Sequence, residues 1–429
     1  MSKTKELTDY LAHPRPVMAW TILILSILFN GYAMTLQLQT VELTEKLSSL
    51  FQISVPQLAY TQNAFFYAYF LMQIPVGVLI DRFGPRKIPS LAILTCAAGA
   101  LVFSFCHSLM MIGIGRALMG IGGSFAFLNG LKIVSNWFYS KRFAFMLGVF
   151  IGLSALSMII LGESMVSLQN ALGWRQALLV FSLIGLILGC LFYFIVQDAP
   201  GAGFSVHTGQ QKESFGYFFR KVFQNGQNWI LSLTVGFVLG PLFAFRTTCS
   251  KEFLLLTYRF SETTAELMNM FFLAGYAIGA PFFARISTSI RRRKLFIVWG
   301  IAIAILMLLL IIYPPYLGVQ SLAICYVILG LATSTINLGY VIVHELNVPR
   351  IGTTALGISN LFFGAFCAVS QILIVTLFQI GLLQSYEIAS SDSTQLSLLR
   401  IPIYLFIGFI FSLFIRETGT KQLYSYEIT

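Results

Sequence analysis

The sequence predicts an all-α integral membrane protein, and three observations carry that prediction. Charged residues make up only 10% of the 429 positions, while hydrophobic residues reach 57% and aromatic ones 15%. A soluble chain of this length could not cover so much apolar surface with so few charges. Apolar runs of roughly twenty residues recur, each long enough as a helix to cross about 30 Å of hydrocarbon. These runs are unbroken rather than alternating, which excludes a transmembrane β-barrel.

Twelve spans are read in order, near 17–38, 57–80, 88–107, 109–136, 143–168 and 174–196, then 229–249, 264–287, 295–313, 319–342, 353–381 and 398–416. The first follows Lys3 and Lys5 without a small-residue cleavage site after it, so it reads as a retained helix rather than a removed signal peptide. The second and third are divided by a charged glycine turn, the fourth and fifth by Lys141-Arg142, and the fifth and sixth by Gly173-Trp174-Arg175. Residues 197–228 form the one long polar connection, opening Asp198-Ala199-Pro200-Gly201 and passing His207 and Lys212. Its end, Phe215 to Phe223 with Arg220 and Lys221, has aromatics and cations suited to an interfacial helix. In the second half, Arg291-Arg292-Arg293-Lys294 divides the eighth and ninth spans. His344 to Arg350 divides the tenth and eleventh.

The net charge of +11 would suggest nucleic acid in a soluble protein. In a membrane protein it is the positive-inside bias. With the N-terminus inside, the cytoplasmic side gathers most of the 27 Lys and Arg, among them Arg82, Arg86, Lys87, Lys141, Arg285, Arg293 and Arg416. The opposite side keeps Lys46, Arg175, Lys251, Arg259 and Arg400. Arg116, Lys132 and Arg246 remain within spans. Both termini are therefore expected in the cytoplasm. The six cysteines are scattered, without metal-type spacing or a disulfide framework, and read as thiols.

The two halves repeat. At one constant offset Phe65 aligns with Phe272, Tyr69 with Tyr276, Arg86 with Arg293 and Lys87 with Lys294. The second copy has Thr288 where the first has Asp81. A second alignment sets Leu147-Gly148 against Leu356-Gly357 and Lys141 against Arg350. Such matched loop charges indicate duplication about the central linker.

The most informative segment is Gly77-Val78-Leu79-Ile80-Asp81-Arg82-Phe83-Gly84-Pro85-Arg86-Lys87. The glycines permit a tight loop and close helix contact. Asp81 can pair with an arginine and face helix N-terminal N–H groups. The bland alternative is a cationic loop that only sets orientation. The segment resembles the loop 2–3 signature of the major facilitator superfamily, Gly-x-Leu-x-Asp-Arg-x-Gly-x-Arg-Lys, at every fixed position. Gly115-Arg116-Ala117-Leu118-Met119-Gly120-Ile121-Gly122 is similar to the fourth-helix Arg-x-x-x-Gly-x-Gly pattern of that family. Gly173-Trp174-Arg175, and His344-Glu345 with Arg350, Leu356-Gly357 and Asn360, resemble further family segments.

The resemblance implies twelve transmembrane helices as two six-helix pseudo-repeat bundles, residues 1–196 and 229–429, joined by a cytoplasmic linker at 197–228. It implies a conformational gate of Gly77, Asp81, Arg82, Gly84, Arg86 and Lys87. It also implies a solute cavity lined by helices one, four, seven and ten, to which Arg116, Lys132 and Arg246 would contribute.

Arg116 would face the cavity or a partner, because a cation at that depth costs a few kcal/mol against lipid. The competing reading is an arginine that bonds backbone carbonyls to lock helices together. Lys132 lies about 24 Å further along the same helix and could instead snorkel to the interface. Asn129, Lys132 and Asn136 share a face by helical spacing, which favours a polar, cavity-facing stripe. Arg246 is a substrate contact or an outer-rim cation. Glu163 is read as the carboxylate well inside a helix that could carry a proton, or equally reach outside water or pair with a cation. Asn30, Tyr32, Asn337 and Tyr340 are candidates to orient solute, or else hydrogen bonds between helices.

Cavity cations with few balancing acids suit a small anionic organic solute. The expected activity is secondary transport by alternating access, with proton-coupled uptake at a bacterial-type inner membrane. The expected partners are the solute, protons and the lipid bilayer, with no nucleic acid, no metal and no cofactor, and the chain is expected to act as a monomer. The fifth span has Gly148-x-x-x-Gly152 but lacks the Gly-Pro pair of the antiporter signature, which argues against drug–proton antiport. No Walker motif supplies ATP hydrolysis. Rival readings are a siderophore or drug exporter, a small-peptide carrier, or a nutrient receptor without flux. An enzyme is disfavoured because no paired carboxylates or nucleophile–base set lies at membrane depth.

Overall fold

Helices make up every regular element among the described residues. A computed structural model of the chain describes residues 16–198, 220, 222–313, 317–347, 352–366, 368–369, 373 and 398–420. The chain divides into two compact units, Met1–Phe219 and Arg220–Thr429.

The first unit contains α1 (Pro16–Glu42), α2 (Thr44–Phe51), α3 (Val55–Gln62), α4 (Ala64–Phe83), α5 (Lys87–Ser104), α6 (Leu109–Trp137), α7 (Phe143–Leu172) and α8 (Trp174–Ile195). The second contains α9 (Gly226–Ala244), a π-turn (Phe245–Cys249), α10 (Ser250–Thr257), α11 (Glu262–Ile290), α12 (Arg293–Ile312), α13 (Val319–Ser334), α14 (Asn337–Leu346), α15 over 352–366 and α16 (Arg400–Leu413). Among the described residues, ten helices are long and apolar enough to cross a membrane, with α16 a shorter apolar one. With α15 these fill the places of the twelve expected spans. The far end of the eleventh span and most of the linker, including the start of its expected interfacial helix, lie outside the described residues.

Three boundaries differ from the sequence reading in ways that matter. The second span does not start at 57, because Asn63 separates α3 from α4. The polar Thr61-Gln62-Asn63 run has no apolar face to bury and breaks the helix there. The seventh span leaves α geometry at Phe245–Cys249. Pro241 sits one turn earlier, and its missing N–H and ring disturb the ladder just before the π-turn. The tenth span is longer than expected, reaching Leu346, and is broken between Ser334 and Asn337. There the N–H groups of Thr335 and Ile336 turn back to Ala332 and Thr333 in tight three-residue steps.

Within the first unit α6 packs on α4 and α5, α5 on α8, and α1 on α7. The second unit reproduces this with α13 on α11 and α12, and α12 on α16. Small residues permit these contacts, since apolar burial alone gives no drive between helices in lipid. A side chain at Gly120 would strike the carbonyl oxygen of Phe65, and one at Gly330 the carbonyl oxygen of Phe272. Phe65 stacks on Tyr69 at 5.9 Å and Phe272 on Tyr276 at 6.5 Å. The repeat read from loop charges thus extends to the packing of each bundle.

Candidate functional site

The charged turn after α4 is tied down by three elements of its own bundle. Lys132 on α6 donates to Asp81 at 2.8 Å, and the Asp81 side chain is fully buried. The ion pair seen is thus with lysine, where an arginine was expected. Gly84 caps α4 with φ +82°, a conformation that favours glycine, and an added Cβ there would meet the Asp198 carboxylate. That carboxylate accepts the Arg86 N–H at 3.0 Å, capping the N-terminus of α5 from outside it. The Arg86 guanidinium donates to the Tyr193 carbonyl at 2.9 Å and lies 5.2 Å from the Tyr193 ring. From α6, Asn136 donates to the Asp198 carbonyl at 2.8 Å and Trp137 to the Gln197 carbonyl at 3.1 Å. Gly77 is buried, whereas Arg82 and Lys87 are exposed, Arg82 resting against Phe83 at 5.4 Å.

The expected polar stripe on α6 is therefore divided. Lys132 and Asn136 both bond within this junction. Both amide atoms of Asn129 are buried without a hydrogen-bond partner among the described residues.

The second bundle builds the same junction with the charges exchanged. Arg293, the counterpart of Arg86, makes a two-pronged ion pair to Glu345 on α14, at 3.0 and 2.7 Å. Glu417, beyond α16, accepts the N–H groups of Arg293 and Lys294 at 2.9 Å each and so caps α12. Thr418 donates to Glu345 at 2.5 Å. Thr288, where the acid is lost, bonds back to its own helix at Ala284.

Arg116 is fully buried and adopts the helix-locking arrangement. It donates to the carbonyls of Leu36 and Gln62 at 3.1 Å and of Gln37 at 3.4 Å, with its guanidinium 4.8 Å from the Phe65 ring. It therefore joins α6 to the ends of the first span and of α3. Tyr32 likewise links helices, donating to the Phe181 carbonyl at 3.1 Å. Asn30 is buried on α1. Glu163 stands on α7 with an exposed side chain, in keeping with the reading in which it is not buried. Glu345 and Asp81 are the carboxylates held inside helices instead.

Around Phe243 the second bundle gathers a different set. Arg246, half-buried in the π-turn, holds its guanidinium 5.6 Å from the Phe243 ring. Tyr276 meets the same ring edge-on at 6.2 Å, and Phe363 does so at 5.5 Å. Tyr276 donates to the Asn337 carbonyl oxygen at 3.0 Å, while Tyr340 donates to Asn360 at 2.9 Å. Lys251 on α10 pairs with Glu266 at 2.8 Å and Glu262 at 3.5 Å. The Glu266 hydrogen bond raises the Lys251 pKa above its ordinary value.

The sequence profile of the Major Facilitator Superfamily matches residues 17–254, more than half of the chain. The chain belongs to the major facilitator superfamily. A nitrate/nitrite transporter of Picosynechococcus is 30% identical over 156 residues, which cover 30% of this facilitator and 29% of that relative. A D-galactonate transporter of Escherichia coli is 29% identical over 148 residues, 34% of each chain. The chain thus matches about a third of the length of these relatives. A bacterial homologue of the human lysosomal transporter Spinster, solved inward-facing and unoccupied, superposes with a TM-score of 0.63. That likeness covers 96% of this chain and 100% of the other at 16% identity, and shows the fold alone. The facilitator fold and a multi-pass membrane location are therefore established for this chain.

Four junction or cluster residues escaped the sequence reading of this facilitator. Asp198 and Glu417 are each the first acid after the last apolar run of a half, a signal visible only when the halves are compared end to end. Glu345 was placed in a loop because the tenth span was ended at 342. Tyr276 was noted for its repeat position but not for its hydroxyl.

Proposed function

We propose that this facilitator is a secondary transporter of a small organic anion, working by alternating access and coupled to protons for uptake. The single observation that carries the anionic reading is Arg246, a half-buried cation in a helix irregularity beside aromatic and amide groups. The anions in the names of the matched relatives, nitrate, nitrite and galactonate, support it. In this reading the junction of Asp81, Arg82, Arg86 and Lys132 is the latch that holds one conformation. Loop charge asymmetry supports a cytoplasmic location for both termini in an inner membrane. The protein works as a monomer, each half supplying one side of the transport cycle.

Counterflow in proteoliposomes tests the activity. Vesicles loaded with an unlabelled organic anion should accumulate the labelled one, and an imposed inward proton gradient should raise the initial rate. Binding without flux would overturn transport in favour of a receptor. Accumulation of cationic peptides but not anions would overturn the substrate class.

A further inference from the structure

Two irregular helices of the second bundle are linked through one aromatic ring and a tyrosine of α11. The π-turn after α9 carries Arg246, and the break in the tenth span makes Asn337 the first residue of α14. Both reach Phe243, the first through its guanidinium and the second through Tyr276. Breaks in membrane-spanning helices are tolerated where they are buried in protein or line a cavity, and in transporters such breaks often supply polar groups to a binding site.

Asn337 is 5% exposed, and its oxygen accepts the Tyr276 hydroxyl. Its amide nitrogen is buried with no hydrogen-bond partner among the described residues. A buried donor left unused is costly and rare in native proteins. Here the tyrosine fixes the amide so that the NH₂ end stays unspent.

We propose that this amide is the second anchor of the solute, and that the solute is an organic carboxylate bearing an oxygen acceptor remote from its carboxylate. The inference rests on the anionic reading of Arg246 above and deepens it. The carboxylate pairs with Arg246, the carbon chain lies along the rings of Phe243 and Phe363, and the distant hydroxyl or carbonyl oxygen accepts from Asn337. An inorganic oxyanion could use the arginine but would gain nothing from the rings. A monocarboxylate without a second oxygen would leave the amide unspent. Hydroxy acids of several carbons meet all three requirements.

The test is calorimetric titration of purified full-length protein with gluconate, acetate and nitrate. Gluconate should bind well above the other two. Asn337→Ala should weaken gluconate about tenfold or more, the usual loss for one unmatched buried hydrogen bond, and leave acetate unchanged. Tyr276→Phe, which keeps the ring and its packing, should weaken gluconate in the same direction by releasing the amide. Arg246→Gln should weaken every anion. If nitrate or acetate binds as well as gluconate, or gluconate ignores both Asn337→Ala and Tyr276→Phe, the proposal fails while the anionic reading stands. If no anion binds and Arg246→Gln changes nothing, the anionic reading itself fails.

Discussion

Arg116 and Tyr326 hold equivalent places in the two bundles, each four residues before the glycine that meets a phenylalanine carbonyl, Gly120 at Phe65 and Gly330 at Phe272. Both are fully buried, and both spend their polar atoms on neighbouring helices. Arg116 reaches Leu36, Gln37 and Gln62, whereas the Tyr326 hydroxyl lies 3.0 Å from Ser250, which in turn donates to Asn269 at 2.9 Å. A charged and a neutral residue thus perform one pinning task. That equivalence favours helix locking over solute contact for Arg116.

Arg116→Ala should therefore destabilise the protein rather than alter its specificity. Three carbonyls would lose a charged donor and one aromatic face its cation. A loss of about 3 kcal/mol is expected from thermal unfolding in detergent, against about 1 kcal/mol for Tyr326→Phe. Unchanged stability together with abolished anion binding would return Arg116 to the solute site.

Asp81→Asn removes the acid partner of Lys132. Because 13% of the lysine side chain remains exposed, it can rehydrate, which holds the stability loss to about 1–2 kcal/mol. Flux in proteoliposomes should fall to near background while anion affinity stays close to that of the unmodified protein. The exchanged pair, Asp81→Lys with Lys132→Asp, should recover part of the flux. Full flux in Asp81→Asn would remove the latch.

Glu345→Gln leaves a more deeply buried cation without its acid, since the Arg293 side chain is 4% exposed where that of Lys132 is 13%. About 3 kcal/mol of stability should be lost, read as a lower unfolding midpoint. Glu417→Gln should cost only about 1 kcal/mol, in line with loss of a helix cap. Its signature should be faster amide exchange confined to Arg293 and Lys294.

Gly120→Val and Gly330→Val both drive side-chain atoms into backbone carbonyls that cannot rotate away. Each should cost well over about 2 kcal/mol and reduce the folded yield, seen as loss of the monodisperse peak on size-exclusion chromatography. A well-folded Gly120→Val protein would show that α4 and α6 can separate without penalty.

Membrane class, span count and repeat were legible because each is a local property of the chain. Apolar length fixes a span, loop cations bias orientation, and duplicated segments keep their spacing, as Phe65-Tyr69 and Phe272-Tyr276 do. The buried acid Asp81 was legible too, because a charge at a helix end within a glycine turn is conspicuous. Its partner was not. Lys132 is 51 positions away, and nothing local separates a lysine that reaches an acid from one that snorkels to water.

The same reason explains the other surprises. Glu163 reads as an acid well inside a helix and Glu345 as a loop acid, yet packing leaves the first exposed and encloses the second between Arg293 and Thr418. By itself the sequence determined that this chain crosses a membrane as two duplicated sets of helices with a charged turn in each. The tertiary structure alone decided which charge meets which, that Arg116 bonds the carbonyls of Leu36, Gln37 and Gln62, and that the Asn337 amide nitrogen has no partner among the described residues. Pairings across many tens of residues depend on helix rotation and depth, which hydropathy leaves open and side-chain packing settles.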